Sequence, residues 1–405
     1  MSGPSSDLDL TVVIPVHERA DELDSCLAAL GQAASVLVVD DGSADRDGIA
    51  AVCARHGARV LRREQAGGPA EARNAGLAAA ETELIAFIDS DVVPSAGWLA
   101  PLVAEFADPD VAAAAPRVLP LERPEAETGF RERFVASRSP LDMGPRSGDV
   151  VPGELISYVP TAALVVRRSA LREPFDADLR YGEDIDFIWR LYDEGRRVTY
   201  NASVLVRHDE PRSWGKLLGR RRSYGTAAAP LARRYGRRMA PFTVRPWSTS
   251  TALLLLAQLF APAAVLGAAG IALQAGRDAG AGGSPLGSAK DAARAVAVDL
   301  VGLGRMATRL WWPLLALGVL FGSNRWRRAA LVLLVAPPLL EWHRRRPEVD
   351  PLRWTLVSVV EDAVFGSGVW AACVSERNLI ALLPVFGEEG EEGRSAAVGN
   401  RNNDG

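Results

Sequence analysis

The stretch ELIAFIDSDVVP, residues Glu83 to Pro94, decides the fold class of this 405-residue chain. Five of the six residues from Leu84 are apolar, and the run leads into Asp89 and Asp91. A short continuous apolar run of this kind is typical of a strand that is buried on both faces of a parallel sheet. Open parallel sheets bind ligands at the carboxyl ends of their strands, so we expect the two aspartates beside a ligand.

Two earlier stretches show the same pattern. In TVVIPVHE, Thr11 to Glu18, Pro15 is expected to end a strand and open a loop, and SVLVVDDGS, Ser35 to Ser43, also ends in polar residues. Apolar runs alternate with amphipathic stretches through about the first 210 residues. This alternation predicts an α/β domain with a mostly parallel sheet.

The polar ends of these two strands are candidates to bind a base and a ribose. His17, Glu18 and Asp41 are expected at one rim of the sheet, where a carboxylate accepts hydrogen bonds from hydroxyl and ring N–H groups. In the alternative, which stays open here, residues 40–43 form only a turn and a helix cap.

Asp89 and Asp91 also suit a metal ion. Two carboxylates that leave a strand together can hold Mg²⁺ or Mn²⁺, which are hard cations that bridge phosphate oxygens. A simple turn is the common alternative for this spacing, but the polar strand ends upstream favour a site. His208, in VRHDEP after a further apolar run, is either a third metal ligand or a buried imidazole.

The segment GGPAEARNAGL, Gly67 to Leu77, places Arg73 in a predicted helix. A guanidinium and the N–H groups of a helix N-terminus both suit a diphosphate. The sequence contains no GxxxxGK[ST] motif and no GxGxxG motif after either strand. These absences argue against a P-loop and against dinucleotide binding.

The segment LRYGEDIDFIWRLYDEG, Leu179 to Gly195, predicts an amphipathic helix with an acidic first turn. Its apolar face is predicted to contain Ile185, Ile188, Trp189 and Tyr192. The helix dipole alone favours acidic residues at this end, whatever their function. Among Glu183, Asp184 and Asp186, we nevertheless choose Asp184 as a general base, which must lie within about 3 Å of the hydroxyl that it deprotonates.

The composition is that of an ordinary globular protein, with 46 Lys and Arg against 50 Asp and Glu. A formal net charge of −4 gives no general reason to expect nucleic-acid binding. The N-terminal MSGPSSDLDL lacks the pattern of a secretory signal. The three cysteines show no CxxC spacing, which favours a reducing compartment; they are Cys26, Cys53 and Cys373.

The second half of the chain predicts helices at a membrane. A basic segment, Arg207 to Arg238, precedes an uncharged stretch in which Ala252 to Leu273 is long enough to cross a hydrocarbon core. A buried helical hairpin is the alternative for this stretch. The later runs Leu310 to Ser323 and Ala329 to Leu340 are each too short to span. They either lie at the interface, with anchors at Trp311, Trp312, Trp326 and Trp342, or place these aromatic residues in a soluble core. The basic segment predicts that the α/β domain faces the cytoplasm.

Four segments follow from these patterns. Residues 1–9 are expected to be a flexible N-terminus, and residues 10–240 form the α/β domain. Residues 241–384 are expected to be a helical, hydrophobic, membrane-associated region that contains a linker at Gly280 to Ser288. Residues 385–405 are expected to be a disordered tail.

With these motifs in this order, residues 10–230 resemble the family 2 glycosyltransferases of the GT-A fold. The resemblance implies that a nucleotide-sugar donor, a UDP-sugar, is bound by Pro15, Glu18, Asp41, Arg73, Asp89 and Glu183. It implies a metal at Asp89 and Asp91 and an inverting base at Asp184, which deprotonates an acceptor hydroxyl for direct attack on C1 of the sugar.

Four further segments are similar to a narrower group of this family, the glycosyltransferases of the mycofactocin pathway. They are SPLDMGPR (139–146), ISYVPTAALVVRRSAL (156–171), YGTAAAPLARRYG (224–236) and EDAVFGSGVWAACVSERN (361–378). The similarity implies glucose transfer from UDP-glucose to a peptide-derived redox cofactor, with β-1,4-linked extension. The alternatives are a polyprenyl-phosphate, lipid or surface-polysaccharide acceptor and, as a different class, a non-catalytic membrane scaffold.

Overall fold

The computed structural model describes residues 9–31, 35–279 and 285–386. It divides the chain into two compact units, Met1–Leu217 and Leu218–Gly405, so the boundary falls earlier than the one predicted after residue 240. Residues 1–8 and 387–405, which make up most of the predicted flexible N-terminus and tail, lie outside the described residues. All three cysteines are buried free thiols.

The described part of the first unit contains nine strands and six complete α-helices. The strands are β1 (Leu10–Val16), β2 (Ser35–Asp41), β3 (Arg59–Arg63), β4 (Leu84–Ile88), β5 (Val92–Pro94), β6 (Val111–Pro120), β7 (Gly148–Asp149), β8 (Ala163–Arg167) and β9 (Arg197–His208). The helices are α1 (Ala20–Leu30), α2 (Arg46–His56), α3 (Pro69–Ala79), α4 (Leu99–Ala104), α5 (Phe130–Arg138) and α6 (Glu183–Asp193).

The nine strands form one mixed sheet in the order β3-β2-β1-β4-β8-β6-β9-β5, and β7 pairs with β9. The first four strands of this order are parallel, and β6 and β9 are also parallel. In contrast, β8 runs antiparallel to β4 and β6, and β5 and β7 run antiparallel to β9. The predicted α/β class and the predicted buried strands at β1, β2 and β4 are confirmed.

The prediction that Pro15 ends the first strand is wrong. β1 continues to Val16, and Pro15 pairs in register with Val39 of β2. On its other side β1 pairs with β4 only from Leu10 to Val13. Pro15 therefore lies where the strand has a neighbour on one side only, which is a position at which a residue without an N–H group is tolerated.

Helix α3 packs closely on the parallel part of the sheet. A Cβ atom at Gly76 would collide with Val13 of β1 and would press on Val39 of β2, so only glycine allows this approach. Arg73 lies one turn earlier on the same helix. The close packing thus fixes the position of the Arg73 side chain relative to the strand ends.

The second unit is helical in its described residues. Its helices are α7 (Trp214–Gly225), which contains the unit boundary, α8 (Ala228–Tyr235), α9 (Pro246–Leu256), α10 (Phe260–Ala279), α11 (Pro285–Arg309), α12 (Trp312–Phe321), α13 (Asn324–Arg345) and α14 (Pro351–Ser375). Two short parallel strands, β10 (Thr243–Val244) and β11 (Val385–Phe386), pair with each other.

Two predicted boundaries in this unit are wrong where they can be compared with the structure. Val385 and Phe386 belong to strand β11, although the tail was predicted to begin at residue 385. The predicted linker Gly280 to Ser288 is helical from Pro285 onward, and its residues 280–284 lie outside the described residues. Sequence composition does not reveal either outcome. Strand β11 pairs with β10, and residues 285–288 form the first turn of the long helix α11.

The segment Ala252 to Leu273 does not form the single spanning helix that its composition predicted. The chain breaks between α9 and α10, where Gln258 adopts a left-handed φ of 59°. Pro262 lies in the first turn of α10, which a proline tolerates although a helix interior does not. Trp247 of α9 packs on Gly270 of α10, so the segment forms a helical hairpin. It is not the buried hairpin of the alternative, because Phe260, Val265 and Leu273 are exposed.

Among the described residues one helix, α14, is long and apolar enough to cross a membrane, and 44% of its most apolar window is buried. Near its centre, Glu361 accepts a hydrogen bond from Arg221 at 2.6 Å and Asp362 accepts one from Arg309 at 2.9 Å. Length and composition do not distinguish a spanning helix from a core helix, and paired charges are common where helices pack together inside a protein. Membrane association stays a prediction.

Candidate active site

The loops after β1 and β2 hold each other in place. Glu18 has a left-handed φ of 56°, its N–H donates to Ser43 Oγ at 3.0 Å, and its carboxylate accepts from the N–H of Ala44. His17 Nδ1 lies 2.9 Å from the carbonyl oxygen of Asp41. The predicted residues at these two strand ends are therefore neighbours on one rim of the sheet.

Asp41 organises the glycine-rich loop that precedes α3. Its carboxylate accepts hydrogen bonds from the N–H groups of Gly67 at 3.1 Å and Gly68 at 2.8 Å, and it also pairs with Arg63. The carboxylate of the neighbouring Asp40 accepts a hydrogen bond from the N–H of Ser43, three residues on, at 3.0 Å, which closes a turn over residues 40–43. The turn in the alternative interpretation therefore exists, but the cap of α2 is Asp45, and Asp41 makes contacts beyond that turn.

The predicted metal-binding aspartates flank a tight turn between β4 and β5. The Val92 N–H donates to the Asp89 carbonyl at 3.0 Å, and β5 then pairs with β9 so that Val92 lies opposite His208. This pairing brings His208 Nε2 to 3.6 Å from Asp91 Oδ2. The structure therefore brings Asp91 and His208 together, although they are far apart in the sequence.

Three residues at this turn were not predicted as site residues. Arg19, at the start of α1, donates a hydrogen bond to the Asp91 carboxylate. Glu210 Oε1 lies 3.7 Å from His208 Nδ1 and accepts a hydrogen bond from Ser139 Oγ at 3.1 Å. A carboxylate behind an imidazole orients the ring in many metal sites. Two features of the sequence could have indicated these residues: the basic residue directly after Glu18 and the acidic residues in VRHDEP.

Arg73 links the metal-binding turn to the acidic helix. Its Nη2 lies 2.7 Å from Asp89 Oδ1, and its Nη1 lies 3.0 Å from Glu183 Oε1. The side chain is only 3% exposed, and its guanidinium lies over the ring of Phe175. Arg73 was predicted to contact a diphosphate, whereas in this structure two carboxylates hold its guanidinium.

The acidic helix α6 begins at Glu183, as the sequence predicted, after Gly182 with a φ of 84°. Asp184 is half-buried, and its Oδ1 accepts a hydrogen bond from the N–H of Ile185 at 2.8 Å. Burial raises the pKa of Asp184 to about 7, and the adjacent carboxylate of Glu183 also raises it. A carboxylate with a near-neutral pKa is well matched to accept a proton at physiological pH.

The predicted apolar face of α6 is correct only in part. Ile188 and Trp189 are buried, but Tyr192 is 38% exposed, and Ile185 is partly exposed. Phe187, which was not predicted, is buried and stacks on Phe175 with ring centroids 4.2 Å apart. The buried face of the helix therefore includes Phe187, which packs on Phe175, and does not include Tyr192.

The oxygen and nitrogen atoms of Asp89, Asp91 and His208 suit a hard cation that takes only a few of its ligands from the protein. Within the described ranges, no three His, Cys, Asp or Glu side chains form a ready metal cage. Mg²⁺ and Mn²⁺ sites in phosphate-binding enzymes commonly use one or two carboxylates, with substrate phosphates and water as the remaining ligands. Asp91 and Asp89, with His208 within 3.6 Å of Asp91, could supply such a partial set once the phosphates are present.

Comparisons with known proteins identify the family of this chain. Residues 11–175 match the family model described as glycosyl transferase family 2. A pre-mycofactocin glycosyltransferase of Mycobacterium tuberculosis is 39% identical over 404 residues, which cover 95% of this chain and 83% of that protein. The succinoglycan biosynthesis protein ExoU of Rhizobium meliloti is 31% identical over 210 residues, which cover 47% of this chain and 58% of that protein.

A solved structure supports the fold. The mannosyltransferase PcManGT from Pyrobaculum calidifontis, in complex with GDP-Man and Mn²⁺, matches this chain with a TM-score of 0.51 at 16% identity. The match covers 92% of this chain and 90% of that chain. The chain is therefore a glycosyltransferase that belongs to glycosyl transferase family 2 and, within it, to the group of the pre-mycofactocin glycosyltransferases.

Proposed function

We propose that this glycosyltransferase is a metal-dependent, inverting enzyme that transfers glucose from UDP-glucose to pre-mycofactocin and extends it with β-1,4-linked glucose. The acceptor is proposed from the relative that is 39% identical over nearly the whole chain. The observation that carries the chemistry is the double ion pair of Arg73, because it brings Asp89 of the metal-binding turn and Glu183 of the acidic helix to one guanidinium.

In this proposal the loops after β1 and β2 bind the nucleotide. Pro15 lies within β1, just before the first loop, and Glu18 shapes that loop. Asp41 holds the glycine loop that would face the uridine and its phosphates. A bound Mg²⁺ or Mn²⁺, held by Asp89, Asp91 and His208, would supply positive charge to the diphosphate leaving group. The mannosyltransferase of the same fold was solved with a nucleotide sugar and Mn²⁺, which supports this assignment.

Asp184 acts as the general base. It takes the proton from the acceptor hydroxyl, whose oxygen then forms a bond to C1 of glucose as the bond to the diphosphate breaks. Arg73 keeps Glu183, and with it the start of α6, beside the metal-binding turn. A base on the face opposite the leaving group gives inversion, so an α-linked donor yields a β-linked product.

A lipid-linked acceptor, such as a polyprenyl phosphate, is the second candidate. The second unit exposes many large apolar side chains, among them Phe260, Leu317 and Phe321, and this favours an acceptor or partner of lipid character. A non-catalytic scaffold has less support, because Asp89, Asp91 and Asp184 are all present.

The test is a transfer assay with the purified full-length protein, radiolabelled UDP-glucose and Mn²⁺, in which pre-mycofactocin and a polyprenyl phosphate are offered separately. We expect label on pre-mycofactocin, a β-configured anomeric carbon by NMR, and loss of transfer when the metal is chelated. If only the lipid is labelled, the acceptor is a polyprenyl phosphate and not pre-mycofactocin. An α-configured product would refute inversion.

A further inference from the structure

Exposed apolar side chains are concentrated in one part of this protein. Among the described residues, 28 large apolar side chains are exposed, and only three of them, Val60, Leu155 and Tyr192, lie in the first unit. Ten of the remaining 25 belong to the helical hairpin formed by α12 and α13. Single exposed apolar residues are ordinary on protein surfaces, but a concentration of this size marks an interaction surface.

Helix α12 is unusual because it is apolar on all sides and yet not buried. Its sequence, WPLLALGVLF, contains no charged residue, and none of its ten residues is buried. Leu314, Leu317 and Phe321 are 56%, 52% and 79% exposed and recur at helical spacing, so they form one continuous stripe. A helix of this composition needs an apolar partner, because water does not favour such a surface.

Helix α13 carries a matching stripe. Leu331, Val335 and Leu339 are exposed at intervals of four residues. Gly318 of α12 packs near Ala330 of α13, and α11 packs on both helices. Because the residues of both stripes are exposed, α11 covers neither of them.

Arginine residues lie at both ends of the α13 stripe. Arg325, Arg327 and Arg328 are exposed at its start, and Arg344 and Arg346 are exposed at its end, where Arg345 pairs with Glu341 at 2.9 Å. Trp326, among the first group, is 69% exposed, whereas the indole N–H groups of Trp311 and Trp342 are bonded to backbone carbonyls of the second unit. Of the predicted tryptophan anchors, Trp326 is thus the most available to a membrane.

The length of the apolar segments decides between spanning a bilayer and lying in its surface. α12 has ten residues and extends about 15 Å, and the twelve apolar residues Ala329 to Leu340 extend about 18 Å, against about 30 Å for a hydrocarbon core. Neither segment spans. An apolar stripe with cationic ends suits a helix that lies in the plane of the headgroups, where arginine side chains reach the phosphates.

We propose that the α12–α13 hairpin lies flat in the surface of a membrane rich in anionic lipid, with the stripes of both helices among the acyl chains. The inference goes beyond the proposed transfer reaction and does not depend on it. Anionic lipids are enriched in the cytoplasmic leaflet, so the protein binds the membrane from the cytoplasmic side. Charge complementarity selects this partner over a second copy of the chain, which would bring the arginine clusters of two molecules together.

The test is flotation of the full-length protein with vesicles of phosphatidylcholine alone or with added phosphatidylglycerol. We expect binding to the anionic vesicles and about tenfold or greater weakening by the double variant Leu317→Asp with Val335→Asp, which places charges in both stripes. Leu155→Asp is the matched control, because Leu155 is 76% exposed in the first unit, and it should bind as the wild type does. Melting by circular dichroism checks that the variants fold.

Two further measurements complete the design. Replacement of Trp326 by Phe should remove a blue shift of the fluorescence on vesicle binding, because this indole enters the headgroup region. Size-exclusion chromatography without lipid reports on self-association. Equal vesicle binding by the double variant and the wild type would overturn the proposal. A wild type that does not float and forms a dimer that the double variant dissociates would also overturn it.

Discussion

Replacing Asp184 by Asn should slow glucose transfer about 10²–10⁴-fold and at the same time stabilise the ligand-free protein above neutral pH. Burial raises the pKa of Asp184 from 3.8 to about 7. Between these two values the folded protein keeps a proton that the unfolded chain releases. The free energy of unfolding therefore falls as the pH rises through this window, and the loss is complete above about pH 7. An amide does not ionise and avoids this loss.

The magnitude follows from the same two values. The pKa shift of about three pH units, at about 1.4 kcal/mol per unit, gives an upper limit of about 4 kcal/mol for the loss in the free energy of unfolding. Because solvent reaches part of this side chain, we expect a measured gain of about 1–3 kcal/mol at pH 8 and almost none near pH 4.

Urea denaturation followed by fluorescence at pH 4, 6 and 8 measures this difference between the variant and the wild type. Asp178→Asn, at an exposed position before α6, is the matched control and should change stability little at any pH. A variant that is no more stable than the wild type at pH 8, or a stability difference that does not grow with pH, would refute the raised pKa of Asp184.

Three further predictions concern the same site. Arg73→Met leaves Asp89 and Glu183 without their cation and should destabilise the protein by about 3–5 kcal/mol in thermal or urea unfolding; a change below about 1 kcal/mol would contradict the linking role of Arg73. Arg19→Gln removes the cation that pairs with the Asp91 carboxylate and should tighten Mn²⁺ binding several-fold in the absence of UDP, as measured by electron paramagnetic resonance; unchanged affinity would show that this ion pair does not compete with the metal. The pH profile of transfer at saturating donor should rise with an apparent pKa near 7, because Asp184 must lose its proton to act as a base, and a flat profile from pH 5.5 to 8 would argue against it.

Local sequence patterns were sufficient for the elements that present the site. Burial of short segments determines the apolar runs at β1, β2 and β4. The helix dipole favours the acidic start of α6, and both effects act over a few residues. Glu18, Asp41, Asp89 and Glu183 lie at the predicted strand and helix ends, whereas Pro15 lies within β1.

The pairings within the site could not be predicted in the same way. Arg73 lies 110 residues from Glu183 in sequence, and Arg19 lies 72 residues from Asp91. Sequence spacing contains no information on which cation meets which carboxylate, so Arg73 was predicted to face a diphosphate. The break at Gln258 was missed for a related reason: an apolar composition predicted continuity, whereas packing of α9 on α10 favours a hairpin.

The central claim is that Asp91 binds the metal that accompanies the diphosphate, while Asp184 removes the proton from the acceptor. Its most direct test compares Asp91→Asn and Asp184→Asn for Mn²⁺-dependent UDP-glucose binding by calorimetry and for glucose transfer in the same preparation. We predict that Asp91→Asn loses metal-dependent donor binding, whereas Asp184→Asn retains it and transfers glucose about 10²–10⁴-fold more slowly. Normal transfer by Asp184→Asn, or undiminished metal-dependent binding by Asp91→Asn, would contradict the account.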